Sequence, residues 1–349
     1  MKRFSILIAA LCLCLTGCGK QTTEATAQIF AMDTVMEVAA YGPKAEKAVQ
    51  ETEGQIKALE NQLSRTKADS LVSGLNRDGS IRHLTYDYWN LIARAKEYRD
   101  ATNGAFDITI APVMDAWGFT GDSFRVPERS ELDELLKHVN SDEIQIQEEP
   151  AHSVTLGEGQ AIDLGGIAKG YTSDWVEQTF RANGIESGKI SLGGKVFVLG
   201  TKPDGSDWRV GIKDPRNESG LAAILSLRDA YAITSGGYER YFEENGKTYH
   251  HIIDPSTGYP ADSGLLSVTV VAADNGPDWA GAGNGAMCDA FSTALFVMGE
   301  EQALDFWRNG GYDFDLVLVT EDDRVVITAG LADRLEEVKD SGYTYETVS

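Results

Sequence analysis

Between Ile29 and Tyr41 the apolar positions run at strand spacing, interrupted at Met32-Asp33-Thr34. The period then lengthens: after Pro43, residues Ala48, Ile56, Leu59 and Leu63 fall on one face of a helix ending near Leu63. A turn is expected over Leu75 to Ser80. A second helix follows over Thr85 to Thr102, stopped by Asn103-Gly104, and a third over Ser130 to His138 with Ser130 as N-cap. Ile144 to Gln147 and Ser153 to Asp163 read as strands. Thr172 to Asn183 predicts an amphipathic helix burying Trp175, Val176 and Phe180, with Gly184 past its end. From Ile190 onward the runs are short and broken by Gly or Asp. They predict strands at Ile190 to Leu192, Val196 to Leu199, Trp208 to Ile212, Leu221 to Leu227, Tyr231 to Thr234 and Leu265 to Ala273. A helix over Asp289 to Gly299 and a hairpin from Phe314 to Ala329 complete the pattern.

Helices concentrate early and strands late, with little alternation and no internal repeat. This favours an α+β fold with mixed or antiparallel sheets over a doubly wound parallel sheet. The first residues stand apart. Lys2 and Arg3 precede the apolar run Phe4 to Leu15, too short to span a bilayer comfortably, and Leu15-Thr16-Gly17-Cys18 follows. Residues 1–17 therefore read as a secretory signal, 18–28 as a tether and 29–349 as a single domain. Leu-Thr-Gly-Cys resembles a bacterial lipobox, which implies cleavage before Cys18, lipid on Cys18, and an extracytoplasmic protein anchored at the cell envelope. Cys12 and Cys14 would leave with the leader, and Cys288, to which no role is assigned, would have no disulfide partner.

The formal net charge of −23 repels nucleic acid and anionic lipid. It also repels anionic ligands, so a phosphate site here needs local cations or helix ends. Asp163-Leu-Gly-Gly-Ile-Ala-Lys-Gly-Tyr171 supplies such a place. A glycine-broken turn entering a helix can point N–H groups and a positive dipole at an anion, with Lys169 beside them. The same residues also suit a plain strand-to-helix turn carrying a surface lysine. His250-His251-Ile-Ile-Asp254-Pro-Ser-Thr-Gly258-Tyr-Pro260 places two histidines before a loop stiffened by prolines, suited to a general base. Asp289, Ser292 and Thr293 share a helix face and offer hard oxygen donors suited to magnesium; capping by Asp289 with back-bonded hydroxyls is the alternative.

Together these stretches resemble the ApbE family of flavin transferases, which attach FMN from FAD to a threonine of a target protein. The matching pieces, in order, are Met32-Asp-Thr, Gly104-Ala-Phe-Asp-Ile-Thr, Asp163 to Tyr171, Trp208-Arg-Val-Gly-Ile-Lys-Asp-Pro, Thr234-Ser-Gly-Gly-Tyr, His251 to Pro260 and Asp289-Ala-Phe-Ser-Thr. The resemblance implies two closely packed lobes around a central FAD cleft, with Mg2+ at the pyrophosphate. By position it implies that Met32, Ala105, Phe106, Asp107, Asp163, Lys169 and Ile253 contact FAD. It further implies that Asp289, Ser292, Thr293 and the Gly166 carbonyl hold the metal, and that His251 stands nearest the chemistry. The implied partner is an acceptor flavoprotein with a threonine in a Ser/Thr-Gly-Ala-Ser/Thr context. An FAD pyrophosphatase and a non-catalytic flavin-binding lipoprotein are the alternatives. The chain departs from the family at Ser191 and Lys195, where asparagine and an acidic residue are usual, and at Thr66, where many members place a flavin-stacking tyrosine.

Overall fold

The computed structural model describes residues 23–121, 123–276 and 281–349. The predicted leader, Cys18 and residues 277–280 lie outside them. Eight α-helices occur among the described residues: α1 (Ala45–Leu63), α2 (Leu71–Asp78), α3 (Tyr86–Ala101), α4 (Ala111–Trp117), α5 (Arg129–Leu135), α6 (Ala168–Ala182), α7 (Asn284–Met298) and α8 (Glu300–Asn309). The early strands are β1 (Glu24–Ala31), β2 (Thr34–Tyr41), β3 (Ser80–Arg82), β4 (Gln145–Gln147), β5 (Ser153–Thr155), β6 (Ser187–Leu192) and β7 (Lys195–Leu199). Next come β8 (Trp208–Lys213), β9 (Leu221–Leu227), β10 (Ala230–Gly236), β11 (Tyr241–Glu244), β12 (Lys247–His250) and β13 (Leu265–Ala273). The last are β14 (Asp315–Thr320), β15 (Arg324–Thr328), β16 (Leu335–Glu337) and β17 (Thr344–Val348).

Nine strands form the main sheet in the order β1-β2-β6-β7-β10-β13-β14-β15-β17. Each neighbouring pair is antiparallel except β15 with β17. Strand alternation divides the apolar residues between the two faces. Along β14, Leu316 and Leu318 join the core shared with α1, α6 and α7, whereas Val317 and Val319 join a second core. That second core is closed by the small sheet β16-β9-β8, which contributes Trp208, Val210 and Leu225. A third cluster gathers Trp117, Phe119, Val113, Leu132 and Ile253.

Residues 24–28, expected to be part of a tether, instead begin β1, which starts at Glu24. It pairs with β2 from Glu24↔Tyr41 to Ala31↔Thr34. An edge strand with an alternating exposed and half-buried pattern needs few apolar residues, so these positions look like linker in sequence. Other elements differ from expectation for local reasons. The turn expected at Leu75 to Ser80 is the end of α2, which Ser70 caps by accepting the Ser73 N–H at 2.9 Å and Gly79 ends with φ 70°. Ser130 is not a cap, because α5 follows Glu128 without a capping side chain. The strand expected over Ser153 to Asp163 stops at Thr155. Helix α6 starts four residues before Thr172 and α7 five before Asp289. Within α6, Trp175 is only half-buried, while Asp174 and Glu177 are fully buried.

Candidate active site

The glycine turn of Asp163 to Tyr171 is built by an aspartate. Asp163 Oδ1 accepts the Gly165 N–H at 2.8 Å, and the Asp163 N–H donates to the Ile108 carbonyl at 2.7 Å. Its other oxygen lies 3.4 Å from Arg65 Nη1. Arg65 also pairs with Asp115 at 2.7 Å and donates to the Ala111 carbonyl at 3.3 Å, tying α4 to the turn. The sequence carried no periodic or glycine signal for Arg65; its role follows from four acceptors distant in the chain, Ala111, Asp115, Thr120 and Asp163.

The glycines of this turn serve different purposes. A Cβ on Gly166 would stand 3.1 Å from the Phe106 ring and 3.7 Å from Thr293 Oγ1, so Gly166, Phe106 and Thr293 meet. Gly170 instead lets two helices cross: a Cβ there would lie 2.1 Å from the Gly285 carbonyl oxygen, and one on Gly285 would lie 2.5 Å from that of Gly170. At this crossing the Gly170 N–H donates to Asp289 Oδ2 at 2.8 Å. One first-turn donor of α6 is therefore spent on a side chain of α7 rather than left for an anion.

Helix α7 is buried almost all round and supplies no capping side chain of its own. Its N-terminus is capped by Asp174 of α6, which accepts the N–H groups of Gly283, Gly285 and Ala286 at 2.9, 2.7 and 3.0 Å and an Asn275 side-chain N–H at 3.0 Å. Burial pushes the Asp174 carboxyl up to about 7, against the pull of these donors. The cap sets the rotation of α7 and with it the direction of Asp289, Ser292 and Thr293. Ser292 Oγ and Thr293 Oγ1 lie 2.8 and 3.2 Å from Ser235 Oγ of β10. Each hydroxyl also reaches back to the Asp289 carbonyl.

No group of three His, Cys, Asp or Glu side chains able to hold a metal occurs among the described residues. The oxygens gathered here come instead from one carboxylate and several hydroxyls, with Gly166 packed near Thr293. That set fits a hard cation such as magnesium better than zinc. Asp289 is 1% exposed and Lys195 4%. The Lys195 ammonium lies 3.6 Å from Asp289 Oδ1 and donates to the Thr234 carbonyl and, at 3.4 Å, to Ser235 Oγ.

The two histidines are distinguished by their hydrogen bonds. His250 Nε2–H donates to the Ala261 carbonyl at 3.0 Å while its Nδ1 faces the Ile252 N–H at 3.3 Å, and its ring packs edge-on against Phe296. Both of its nitrogens are occupied. His251 Nδ1 lies 3.1 Å from the Arg240 carbonyl, which can only accept, so Nδ1 carries the proton and Nε2 the lone pair. Nε2 makes no hydrogen bond among the described residues. Burial, then the Lys169 charge, pushes the His251 imidazole down to about 3. Lys169 is itself lowered, first by burial and then by Lys195, and it feels the opposing charges of Glu239, Asp289 and Asp33. Asp33, Lys169, Lys195, Glu239, His251 and Asp289 thus share one electrostatic neighbourhood.

The remaining expected contacts are placed as follows. Met32 and Asp33 form the two-residue β1–β2 turn at φ 50° and 58°, and the Met32 N–H donates to Glu60 Oε1 at 2.9 Å. Thr172 Oγ1 lies 3.8 Å from the Met32 sulfur, which brings this turn against α6. Ala105 is half-buried beside Phe106. The Asp107 carboxylate is engaged within the fold, accepting from Thr109 N and Oγ1 at 2.8 and 2.6 Å and from Ser141 N at 3.1 Å. Ile253 packs into the Trp117 cluster, and its backbone bridges to Pro260. Thr66 is exposed and bonded to Ser64.

Comparison with known proteins matches a model described as the ApbE family to residues 32–316. The FAD:protein FMN transferase of Treponema pallidum (strain Nichols) is 30% identical, over 99% of this chain and 98% of that protein. The FAD:protein FMN transferase of Haemophilus influenzae is 29% identical, over 96% and 98%. Among solved structures, the ApbE protein of Thermotoga maritima superposes with a TM-score of 0.77 at 32% identity, covering 91% of this chain and 97% of that one. The apo flavinyl transferase ApbE of Pseudomonas stutzeri gives 0.73 at 28%, covering 86% and 92%.

Proposed function

The chain belongs to the ApbE family, and from that premise we propose that it transfers FMN from FAD to a threonine hydroxyl of an acceptor flavoprotein, releasing AMP. The threonine oxygen attacks the FMN-side phosphorus; the new P–O bond forms as the bond to the AMP oxygen breaks. His251 Nε2 receives the hydroxyl proton, since Nδ1–H is committed to the Arg240 carbonyl. The observation that carries this reading is that His251 Nε2, without a hydrogen bond among the described residues, shares its electrostatic neighbourhood with Lys169, which also feels Asp289. In a protein of net charge −23, Lys169 is a local cation for the pyrophosphate.

Asp289 Oδ1, Ser292 Oγ, Thr293 Oγ1 and the Gly166 carbonyl would hold Mg2+. When bound, that ion supplies charge neutralisation for the pyrophosphate and the departing AMP. Met32, Ala105, Phe106 and Ile253 would line the FAD cleft, with Asp163 and Asp107 shaping its walls through the contacts described above. The acceptor threonine would lie in a Ser/Thr-Gly-Ala-Ser/Thr context. Acylation of Cys18 would fasten the protein to the extracytoplasmic face of an envelope membrane; no helix among the described residues is long and apolar enough to cross one.

The test supplies FAD, Mg2+ and an acceptor to the native chain and to His251→Ala, following AMP release and protein-bound flavin fluorescence on a denaturing gel. Turnover should fall by roughly 10²- to 10⁴-fold, the usual contribution of a general base, with FAD affinity nearly unchanged. Near-native transfer by the variant removes His251 from the mechanism. AMP without covalent flavin assigns the site to hydrolysis instead.

A further inference from the structure

Asp289 already has a cationic partner. One of its oxygens takes the Gly170 N–H at 2.8 Å; the other lies 3.6 Å from the Lys195 ammonium. That ammonium is held by the Thr234 carbonyl and Ser235 Oγ, and Ser235 Oγ in turn touches Ser292 Oγ and Thr293 Oγ1. Lys195 thus sits among the same oxygens that would receive a divalent cation. It has little freedom to leave, because its side chain is buried and it opens β7 directly after Gly193 and Gly194, both at positive φ (57° and 83°).

Charge arithmetic decides what this means. The donor set carries one full negative charge, and the ammonium balances it. A divalent cation entering alone would meet the Lys195 ammonium among those same oxygens, whereas the Lys169 charge is offset by Glu239 and Asp33 around it. A cation arriving with a dianionic pyrophosphate brings its own balance. Resting on the reading above, we propose that Lys195 is a specificity-determining residue that keeps the Asp289 oxygens poorly receptive to free divalent cations, so that metal enters together with the pyrophosphate substrate.

The probe is Mn2+, with free ion counted by electron paramagnetic resonance, on the native chain and on Lys195→Gln and Lys195→Met, each with and without FAD. The native chain should bind Mn2+ weakly alone and at least tenfold more tightly with FAD. Both variants should bind Mn2+ alone at least tenfold more tightly than the native chain, losing most of the FAD dependence. Circular dichroism identifies folded variants. Folded variants with native Mn2+ affinity overturn the proposal while leaving the metal reading intact. Should neither variant fold, the native measurement decides: Mn2+ affinity indifferent to FAD overturns it. Absence of Mn2+ binding even with FAD overturns both the proposal and the magnesium site on which it rests.

Discussion

The identity of the base rests on which nitrogen is free. His250 and His251 are adjacent and equally plausible in sequence, and the resemblance alone selected His251. For the proposed base the structure adds a physical reason: among the described residues His250 has both nitrogens bonded and His251 only one. A pH dependence follows. The His251 imidazole is pushed down to about 3 by burial and by Lys169, so in the substrate-free protein it stays neutral through the range where a free histidine, near 6.5, gains its proton. Its NMR resonances should not titrate between pH 5 and 8, and a midpoint near 6.5 would contradict the assignment. The sign for stability is fixed too. Between about 3 and the ordinary value the unfolded chain binds the proton and the folded chain does not, so stability falls as pH drops through that window. Arg65 was beyond sequence reading at this scale, and Ser235 was seen only as part of the Thr234-Ser-Gly-Gly-Tyr stretch, since both act through partners distant in the chain.

At the scale of elements, the α6–α7 crossing does the positioning. Gly170→Ala would drive a methyl into the Gly285 carbonyl and displace the N–H that holds Asp289. Overpacking of this kind costs about 1–3 kcal/mol. The variant should show a lowered Tm and a loss of turnover, whereas unchanged melting would mean the crossing is loose. The strand-rich second half was largely legible, because β8, β9, β13, β14 and β15 carry compact apolar runs between turn residues. The hairpin β11–β12 was not, being mostly exposed with no apolar alternation. The start of α7 was also hidden, since its cap is Asp174 on another helix. The glycine turn was visible in sequence, but the purpose of Gly170 could not be read without knowing what crosses it.

For the molecule as a whole, the proposed site spans two cores, with Ile252 in the large one and Ile253 in the small one. Gly166, in the turn that enters α6, and Asp289, on α7, lie beside the large core, whereas His251 borders the small Trp117 cluster, with its ring against Phe119. The loop carrying His251 is joined to that cluster by Trp117 Nε1–H donating to the Gly258 carbonyl at 2.7 Å. Amide hydrogen exchange should separate the two: Gly170, bonded to a buried carboxylate, should exchange far more slowly than Asp254 and Gly258 in the loop. Equal protection would mean that one cooperative unit holds the whole site. The closeness of Gly170 to Gly285 then sets how stiff this side of the molecule is. Two helices whose backbones touch cannot slide or spread without breaking contact, so α6 and α7 form an anvil that keeps Asp289 at a fixed distance from the glycine turn.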